Sequence, residues 1–205
     1  MQAFTRIEGV AAVLAQANID TDVIMPKQFL KGITRDDLAR GLFFDLRFDA
    51  QGRERPDFVL NQPDLRGAQI LVVGPNFGCG SSREHAVWGM MQFGIRALIG
   101  TGFASIFQDN CYRNGLLPVV LSAPEHERIR ALCAAAPAAR LRVDLLEQVV
   151  SAADGTSIAF DIDALRREDL LSGRDAIGTS LRHAPGIEAF ERRHWESNPW
   201  LQPDG

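Results

Sequence analysis

The segment NFGCGSSREHA, residues 76–86, concentrates the side chains of this sequence that could do chemistry. It carries two hydroxyls, a guanidinium, a carboxylate and an imidazole directly after a pair of glycines, Gly78 and Gly80. A short apolar run precedes the segment and an apolar helical pattern follows it, so we expect a loop that leaves a strand and opens a helix. Ligands of α/β proteins bind at such corners, and free N–H groups at a helix start favour an anion.

The side chains of this corner favour a carboxylate as the ligand. Arg83 can donate two parallel hydrogen bonds to a carboxylate, and Ser81 and Ser82 add hydroxyls beside it. Phosphate motifs fit poorly, because there is no lysine for a P-loop and Arg83 stands where the dinucleotide pattern has its third glycine. A nucleophile elbow would need Gly-x-Ser-x-Gly, but Ser82 and Arg83 follow Ser81. The sequence therefore predicts a carboxylate site that contains a hydroxyl.

A purely structural alternative explains part of the same pattern. Ser81 and Glu84 match the capping box Ser-x-x-Glu, in which Ser81 would start the helix and satisfy one of its unpaired N–H groups. Capping leaves the glycines, Ser82, Arg83 and His85 unexplained. Both interpretations stay open on these residues alone.

The elements around the corner alternate between strand and helix. We predict strands over 4–14, 69–74, 95–100 and 116–121, and helices over 81–94, 103–115 and 125–136. The alternation favours a parallel α/β core. A β-rich tail over 142–162, with a hairpin turn at Asp154-Gly155, and helices at about 163–172 and 185–195 complete the chain. We therefore predict a single α/β domain over 1–205, with three β/β/α layers, a parallel or mixed sheet and a helical C-terminal extension over about 163–205.

Composition excludes several classes of function. The net charge of −4 and the lack of a basic tract argue against a nucleic-acid partner. No apolar run approaches the roughly 20 residues that span a bilayer, and the N-terminus lacks a signal-peptide pattern, so we expect a cytoplasmic protein without a membrane partner. The three cysteines, Cys79, Cys111 and Cys133, are far apart, so we expect no metal site in this chain. Two polar connections, 27–37 and 49–66, are expected to be mobile without a partner.

Two segments together resemble a known superfamily. NFGCGSSREHA resembles the signature of the swivelling domain of the aconitase superfamily, and NIDTDVIMPKQFL, residues 18–30, resembles its upstream signature. ASIFQDNCYRNGLLPV and IDALRREDLLSGRDAIG are further similar to the bacterial small subunits of 3-isopropylmalate dehydratase, also called isopropylmalate isomerase. The resemblance extends from about residue 3 to residue 195.

The resemblance implies a hydro-lyase of leucine biosynthesis that is active only as a complex. Such an enzyme isomerises 2-isopropylmalate to 3-isopropylmalate by dehydration and rehydration. The resemblance implies a large subunit as the partner, and a 4Fe–4S cluster that is held by the large subunit and not by this chain. It also implies a dicarboxylate as the substrate.

The resemblance also gives roles to individual residues. Ser81 matches the catalytic base, and Asp22 matches an active-site acid, for which an Asx turn is the structural alternative. Ser82 and Arg83 match contacts to the substrate carboxylate. The remaining matches are supporting residues of the loop, Gly78, Gly80, Glu84 and His85.

The loop over 29–35 falls where the family reads the substituent of the substrate. Leu30 and Ile33 could contact an isopropyl group, and Lys31 could contact a carboxylate, as could Arg35 unless it is a solvated loop charge. This mixture leaves open a dehydratase for another substituted malate, such as homoaconitate, dimethylmaleate or a methylated malate. A non-catalytic carboxylate-binding module is the alternative from another class of function.

Overall fold

The computed structural model describes residues 1–30, 37–136 and 138–202, and these residues form a mixed α/β fold. One seven-stranded sheet runs through the described ranges, with the order β4-β3-β2-β1-β5-β6-β7. Its strands are β1 Arg6–Leu14, β2 Ile70–Val73, β3 Ala97–Gly100, β4 Leu117–Val120, β5 Arg140–Asp144, β6 Val149–Ala152 and β7 Ser157–Ala159. The predicted α/β class and mixed sheet are confirmed.

Strand β1 joins a parallel half of the sheet to an antiparallel half. It pairs with β2 in parallel, with Leu14 opposite Val73, and with β5 in the antiparallel sense, with Ile7 opposite Val143. Strands β2, β3 and β4 continue the parallel half, and β6 and β7 form the hairpin predicted at Asp154-Gly155. The sheet curls into a half-barrel. All parallel pairs leave their carboxyl ends at one edge, which is where α/β folds place ligands.

The helices are short near the N-terminus and longer after the first half of the chain. They are α1 Thr21–Ile24, α2 Leu38–Gly41, α3 Phe44–Arg47, α4 His85–Phe93, α5 Ser105–Asn114, α6 Ala123–Ala135, α7 Ala164–Ser172, α8 Ala176–Leu181 and α9 Ala184–Ser197, with 3-10 turns at Lys27–Phe29, Val59–Asn61 and Pro199–Leu201. Helix α6 begins with a capping box, in which the side chains of Ser122 and Glu125 each bind the backbone N–H of the other residue.

Both faces of the central strands are buried, which explains their continuous apolar sequences. In β2, Leu71 and Val73 face a core that contains α4 and α5, whereas Ile70 and Val72 face a core shared with the antiparallel half, α6 and α7. Full burial of such a side chain contributes roughly 1.5–3 kcal/mol to folding. Two cores, one on each side of the parallel strands, fix the sheet as the middle layer of the predicted β/β/α arrangement.

Side-chain hydrogen bonds hold the polar connection over 49–66 to the segment before it. The side chain of the buried Asn61 donates to the backbone oxygens of Arg47 and Arg55 at 2.7 and 2.9 Å. The sequence RDDLARGLFFDLRF, residues 35–48, favours a short helix that starts at Thr34 or Asp36. Both start positions lie outside the described residues, and the described part of this segment forms two short helices, α2 and α3.

The C-terminal part of the chain is helical, as predicted, but contains one helix more than expected. Helix α8 was missed, because its six residues include no apolar repeat long enough to read. Helix α9 buries none of its residues. The assignment of residues 1–205 to one domain with an extension stays a prediction.

The loop after β2 packs against α5 at a position that has no room for a side chain. Gly78 has a φ of +78°, and a Cβ atom built there would lie 2.2 Å from Cγ of Phe107. Gly94, which ends α4, also has a positive φ, +107°, but a Cβ atom there would meet nothing within 4 Å. Both glycines have a backbone conformation that would strain any other residue, but only Gly78 lacks room for a side chain.

We therefore expect Gly78→Ala to lower the free energy of unfolding by about 1–3 kcal/mol more than Gly94→Ala, because only the first adds an overpacked atom. Urea unfolding of the two variants, followed by circular dichroism, measures this difference. Equal losses in both variants would show that the contact with Phe107 relaxes without cost.

Candidate active site

The two segments that carry the sequence signatures meet because β1 and β2 are parallel neighbours. The strands end side by side at Leu14 and Val73, and the chain continues from each into a loop at the same edge of the sheet. The loops, 15–20 and 74–84, keep running alongside each other, with Asp20 and Cys79 forming an isolated parallel bridge. Residues about 60 positions apart in the sequence are thereby brought into register.

Backbone hydrogen bonds join the two loops along their length. They run from the N–H of Asn18 to the oxygen of Pro75 at 3.0 Å, from Gly78 to Ile19 at 2.8 Å, and from Thr21 to Cys79 at 2.8 Å. The amide side chain of Asn76 adds a bond to that of Asn18 at 2.8 Å. The loops therefore form a defined extension of the parallel sheet rather than a flexible linker.

Ser81 lies at the end of this paired region and is held by Thr21. The two side-chain oxygens are 2.7 Å apart, and the backbone N–H of Ser81 donates to Oγ1 of Thr21 at 3.2 Å. Thr21 is fully buried, whereas Ser81 is partly exposed. Our sequence analysis missed Thr21, although it lies directly before Asp22 in the upstream signature.

The capping-box interpretation of Ser81 and Glu84 is wrong. Helix α4 begins at His85 rather than at Ser81, and its N-cap residue, Glu84, makes no side-chain capping bond. The reason is that the side chains have other partners: the Ser81 hydroxyl is bound to Thr21, and Glu84 Oε1 accepts from the amide of Asn114 at 2.6 Å.

Arg83 and Asp22 form an ion pair across the two loops. The side chain of Arg83 is only 19% exposed and that of Asp22 is 49% exposed. The hydrogen bond from Arg83 lowers the pKa of the Asp22 carboxyl below its ordinary value of 3.8; burial opposes this shift, and the positive charge of Arg83 adds to it. Asp22 is therefore ionised at neutral pH, and its position is set by the ion pair as well as by the turn at the start of α1.

Two asparagines of α5 hold the segment between Ser81 and α4. The amide of Asn110 donates to the backbone oxygen of Ser82 at 3.2 Å. Asn114 donates to Glu84 and accepts from the indole N–H of Trp88 at 2.9 Å. These asparagines were also missed from the sequence, where their spacing of four along one helix face was the available signal.

The predicted supporting residues lie in the loop and at the start of α4. Gly78 packs on α5, Gly80 packs against Asp20, and Glu84 is bound to α5 as described. The imidazole of His85 lies against the Trp88 indole, with ring centroids 4.7 Å apart. All four residues lie against neighbouring parts of the fold, and their supporting role stays a prediction.

Of the residues predicted to contact substrate outside the ion pair, the structure describes Ser82 and Leu30. Ser82 is exposed at the open edge of the sheet, and Leu30 is partly buried against the core that contains α4 and α5. Lys31 and Ile33 lie outside the described residues.

The cysteines of the described chain are not arranged as metal ligands. Cys79 is partly exposed, and Cys111 and Cys133 are buried in different cores. Burial raises the pKa of the Cys133 thiol to about 11, and that of Cys111 well above its ordinary value. Over 1–30, 37–136 and 138–202, we find no group of three or more His, Cys, Asp or Glu side chains that could bind a metal ion. These residues do not fit an iron–sulfur cluster.

Within the same residues, no helix has both the length and the apolar sequence needed to cross a membrane.

The geometry assembles a hydroxyl, a guanidinium and a carboxylate at one open edge. Ser81, Arg83 and Asp22 lie on paired loops that leave the carboxyl ends of β1 and β2. A guanidinium can bind a carboxylate through two parallel hydrogen bonds, and a nearby hydroxyl can exchange a proton with the bound molecule. The arrangement is suited to proton transfer on a substrate that carries a carboxylate.

Family models match three successive parts of the chain. The model of the aconitase C-terminal domain matches residues 1–124, and the model named LeuD_N matches 127–164. The model of the C-terminal domain found in small subunits of 3-isopropylmalate dehydratase matches 177–204. The first match covers more than half of the chain and includes both loops of the site.

Individual proteins agree with these models. The chain is 54% identical to the 3-isopropylmalate dehydratase small subunit 1 of Mannheimia succiniciproducens, over 98% of this chain and 100% of the relative. It is 52% identical to the 3-isopropylmalate dehydratase small subunit of Caulobacter vibrioides, again over 98% of this chain and 100% of the relative. A crystal structure of 3-isopropylmalate dehydratase from Methanocaldococcus jannaschii is 26% identical, covers 91% of this chain and 99% of its own, and superposes with a TM-score of 0.65. The chain therefore belongs to the family of 3-isopropylmalate dehydratase small subunits.

Proposed function

We propose that this chain is the small subunit of a cytoplasmic 3-isopropylmalate dehydratase, which converts 2-isopropylmalate to 3-isopropylmalate in leucine biosynthesis. The observation that carries the proposal is the pairing of the two loops, which places Ser81 beside Thr21 and Arg83 against Asp22. The names of the relatives support the choice of substrate.

In this proposal Ser81 is the base of the reaction. In its ionised form it takes the proton from the carbon beside a substrate carboxylate, while the hydroxyl leaves the neighbouring carbon and takes a proton from the active-site acid, so that one water is lost and isopropylmaleate forms. Return of one water, with the hydroxyl and the proton exchanged between the two carbons, gives the isomer. A serine hydroxyl is a weak base, and the positive charge of Arg83, two positions along the same loop, favours its ionised form.

Arg83 holds the substrate carboxylate, and Ser82 adds a hydroxyl to the same contact. Asp22 engages one terminal nitrogen of Arg83, Nη1. An arginine has five N–H donors, so donors remain for the substrate. Asp22 orients the guanidinium, and the negative charge of a substrate carboxylate on the remaining donors of Arg83 raises the pKa of Asp22, so that Asp22 can hold and donate a proton as an active-site acid.

The large subunit is the proposed partner, and it covers the edge of the sheet where Gly80, Ser82 and Asp22 are exposed. It carries the 4Fe–4S cluster, which supplies a Lewis acid for the substrate hydroxyl when bound. The described residues of this chain supply the base and the carboxylate contact. The contacts of Leu30 and Ile33 with the isopropyl group, and of Lys31 with a carboxylate, stay predictions.

Co-expression of this chain with its large subunit tests the proposal. The complex is expected to contain iron and to dehydrate 2-isopropylmalate faster than homoaconitate, dimethylmaleate or a methylated malate at equal concentration. A complex that contains iron but prefers another substituted malate would keep the mechanism and overturn the substrate. A chain that binds dicarboxylates alone and captures no iron-containing partner would overturn the enzymatic role.

Ser81→Ala should lower kcat of the complex at least about 10³-fold, because removal of a catalytic base leaves only binding and electrostatics. The variant's thermal unfolding midpoint and its binding to the large subunit should stay close to those of the parent. Ser172→Ala, which removes an exposed hydroxyl on α7, is the matched control. Comparable rates for parent and Ser81→Ala would remove Ser81 as the base.

Arg83→Lys should raise KM about 10–100-fold, because a single ammonium cannot reproduce the two parallel hydrogen bonds of a guanidinium. Arg53→Lys is the control, since Arg53 also pairs with an aspartate, Asp49, but lies in an exposed turn. Steady-state kinetics on 2-isopropylmalate measure both. An unchanged KM for Arg83→Lys would show that Arg83 does not hold the carboxylate.

The ion pair of Asp22 should also be visible in a titration of the isolated chain. The folded chain keeps the ion pair above the ordinary pKa of 3.8 and loses it as the pH falls through the lower, folded value. We expect carbon-detected NMR to give a midpoint below 3.8 for Asp22 in the parent and a higher midpoint in Arg83→Ala. Identical midpoints would mean that the ion pair does not form in solution.

A further inference from the structure

We propose that Thr21 is a positioning residue for catalysis, whose hydroxyl donates a hydrogen bond to Ser81 Oγ and stabilises its ionised form. This inference rests on the proposed function, because it concerns the residue assigned there as the base. It adds a role for a side chain that neither the family names nor the sequence pattern assigns.

The surroundings of Thr21 leave Ser81 as the partner for its hydroxyl proton. The oxygen of Thr21 accepts from the Ser81 backbone N–H at 3.2 Å, which uses one of its lone pairs. The side chain is fully buried, so water does not reach it, and buried hydroxyls are almost always hydrogen-bonded. Among the described residues, the oxygen partner left for its proton is Ser81 Oγ at 2.7 Å.

The ionisation of Ser81 makes the direction of this bond unambiguous. While both hydroxyls are neutral, either oxygen could donate to the other. Once Ser81 has lost its proton it can only accept, so the bond then runs from Thr21 to Ser81. A hydrogen bond to an anionic oxygen is about twice as strong as a neutral one, so it favours the ionised state over the neutral state. Only such a difference between states accelerates a reaction.

Thr21 is fixed before the reaction begins. Its backbone N–H donates to the oxygen of Cys79 at 2.8 Å, and its backbone oxygen accepts from Met25 at 3.0 Å. The side chain of Asp20 caps the same turn by accepting from Val23 at 2.8 Å. A donor held this firmly needs no reorganisation when charge develops on its partner, and preorganised donors of this kind contribute strongly to catalysis.

Three substitutions in the complete dehydratase test the proposal. Thr21→Val keeps the shape of the side chain and removes the hydroxyl, Thr21→Ala removes it with a smaller side chain, and Thr21→Ser retains it. We expect Thr21→Val and Thr21→Ala to lower kcat about 10²–10³-fold, as does the loss of one donor to a developing oxyanion, with KM for 2-isopropylmalate within about 3-fold of the parent. Thr21→Ser should stay within about 10-fold of the parent in kcat.

The pH profile separates this role from a structural one. Loss of the donor raises the pKa of Ser81, so the rise of kcat with pH should move to higher pH in Thr21→Val and Thr21→Ala and not in Thr21→Ser. A merely structural role would lower the active fraction without moving the profile. If Thr21→Val does not fold, Thr21→Ala gives the same comparison.

The outcomes for Thr21 and for the proposed function can be told apart. If the parent is active, Ser81→Ala is inactive and Thr21→Val matches the parent in kcat and pH profile, the role of Thr21 is overturned and the proposed function stands. Losses of equal size in Thr21→Val and Thr21→Ser, with unmoved profiles, would also overturn it. If Ser81→Ala is as active as the parent, the assignment of the base fails, and the role of Thr21 fails with it.

Discussion

The parallel pairing of β1 with β2 is the constraint on which the site depends. These strands are far apart in the sequence, and the pairing aligns their ends and starts two loops at one edge of the sheet. Because the loops continue to exchange hydrogen bonds, the register of the sheet is carried as far as Thr21 and Cys79. A slip of the register by one residue would exchange the side chains of β2 between the two cores, which are closely packed, so the packing of both cores also protects the geometry of the site.

Helices α4 and α5, on one face of the sheet, position the part of the site that follows the paired loops. Helix α4 starts only after the reactive residues, which leaves Ser81 and Ser82 in a loop outside the helix. The amides of Asn110 and Asn114 bind this segment from α5. Their own positions are fixed by the packing of α5, through Phe107 and Cys111, into the core beneath. A few side-chain hydrogen bonds thus fix the exposed polar loop to a helix whose position is set by the apolar core.

Much of the fold and the identity of the key loop could be predicted from the sequence. Buried strands such as β2 read as continuous apolar runs, and the Gly-Ser-rich loop stands out by composition. The start of α4 could not be predicted, because Ser-x-x-Glu is an excellent local cap, and only the distant partners of Ser81 and Glu84 explain why it is not used. Thr21 and Asn114 were missed for the same reason, since their partners lie far away along the chain.

The bond between Trp88 and Asn114 makes the molecule an optical reporter of its own site. Trp88 shares Asn114 with Glu84 of the loop, so a rearrangement of that loop changes the polarity around an indole ring. The other two tryptophans, Trp195 and Trp200, lie in and just after α9. With both replaced by phenylalanine, the tryptophan fluorescence of this chain would come from Trp88 alone, the fourth residue of α4. Assembly and ligand binding could then be followed in real time without an attached dye.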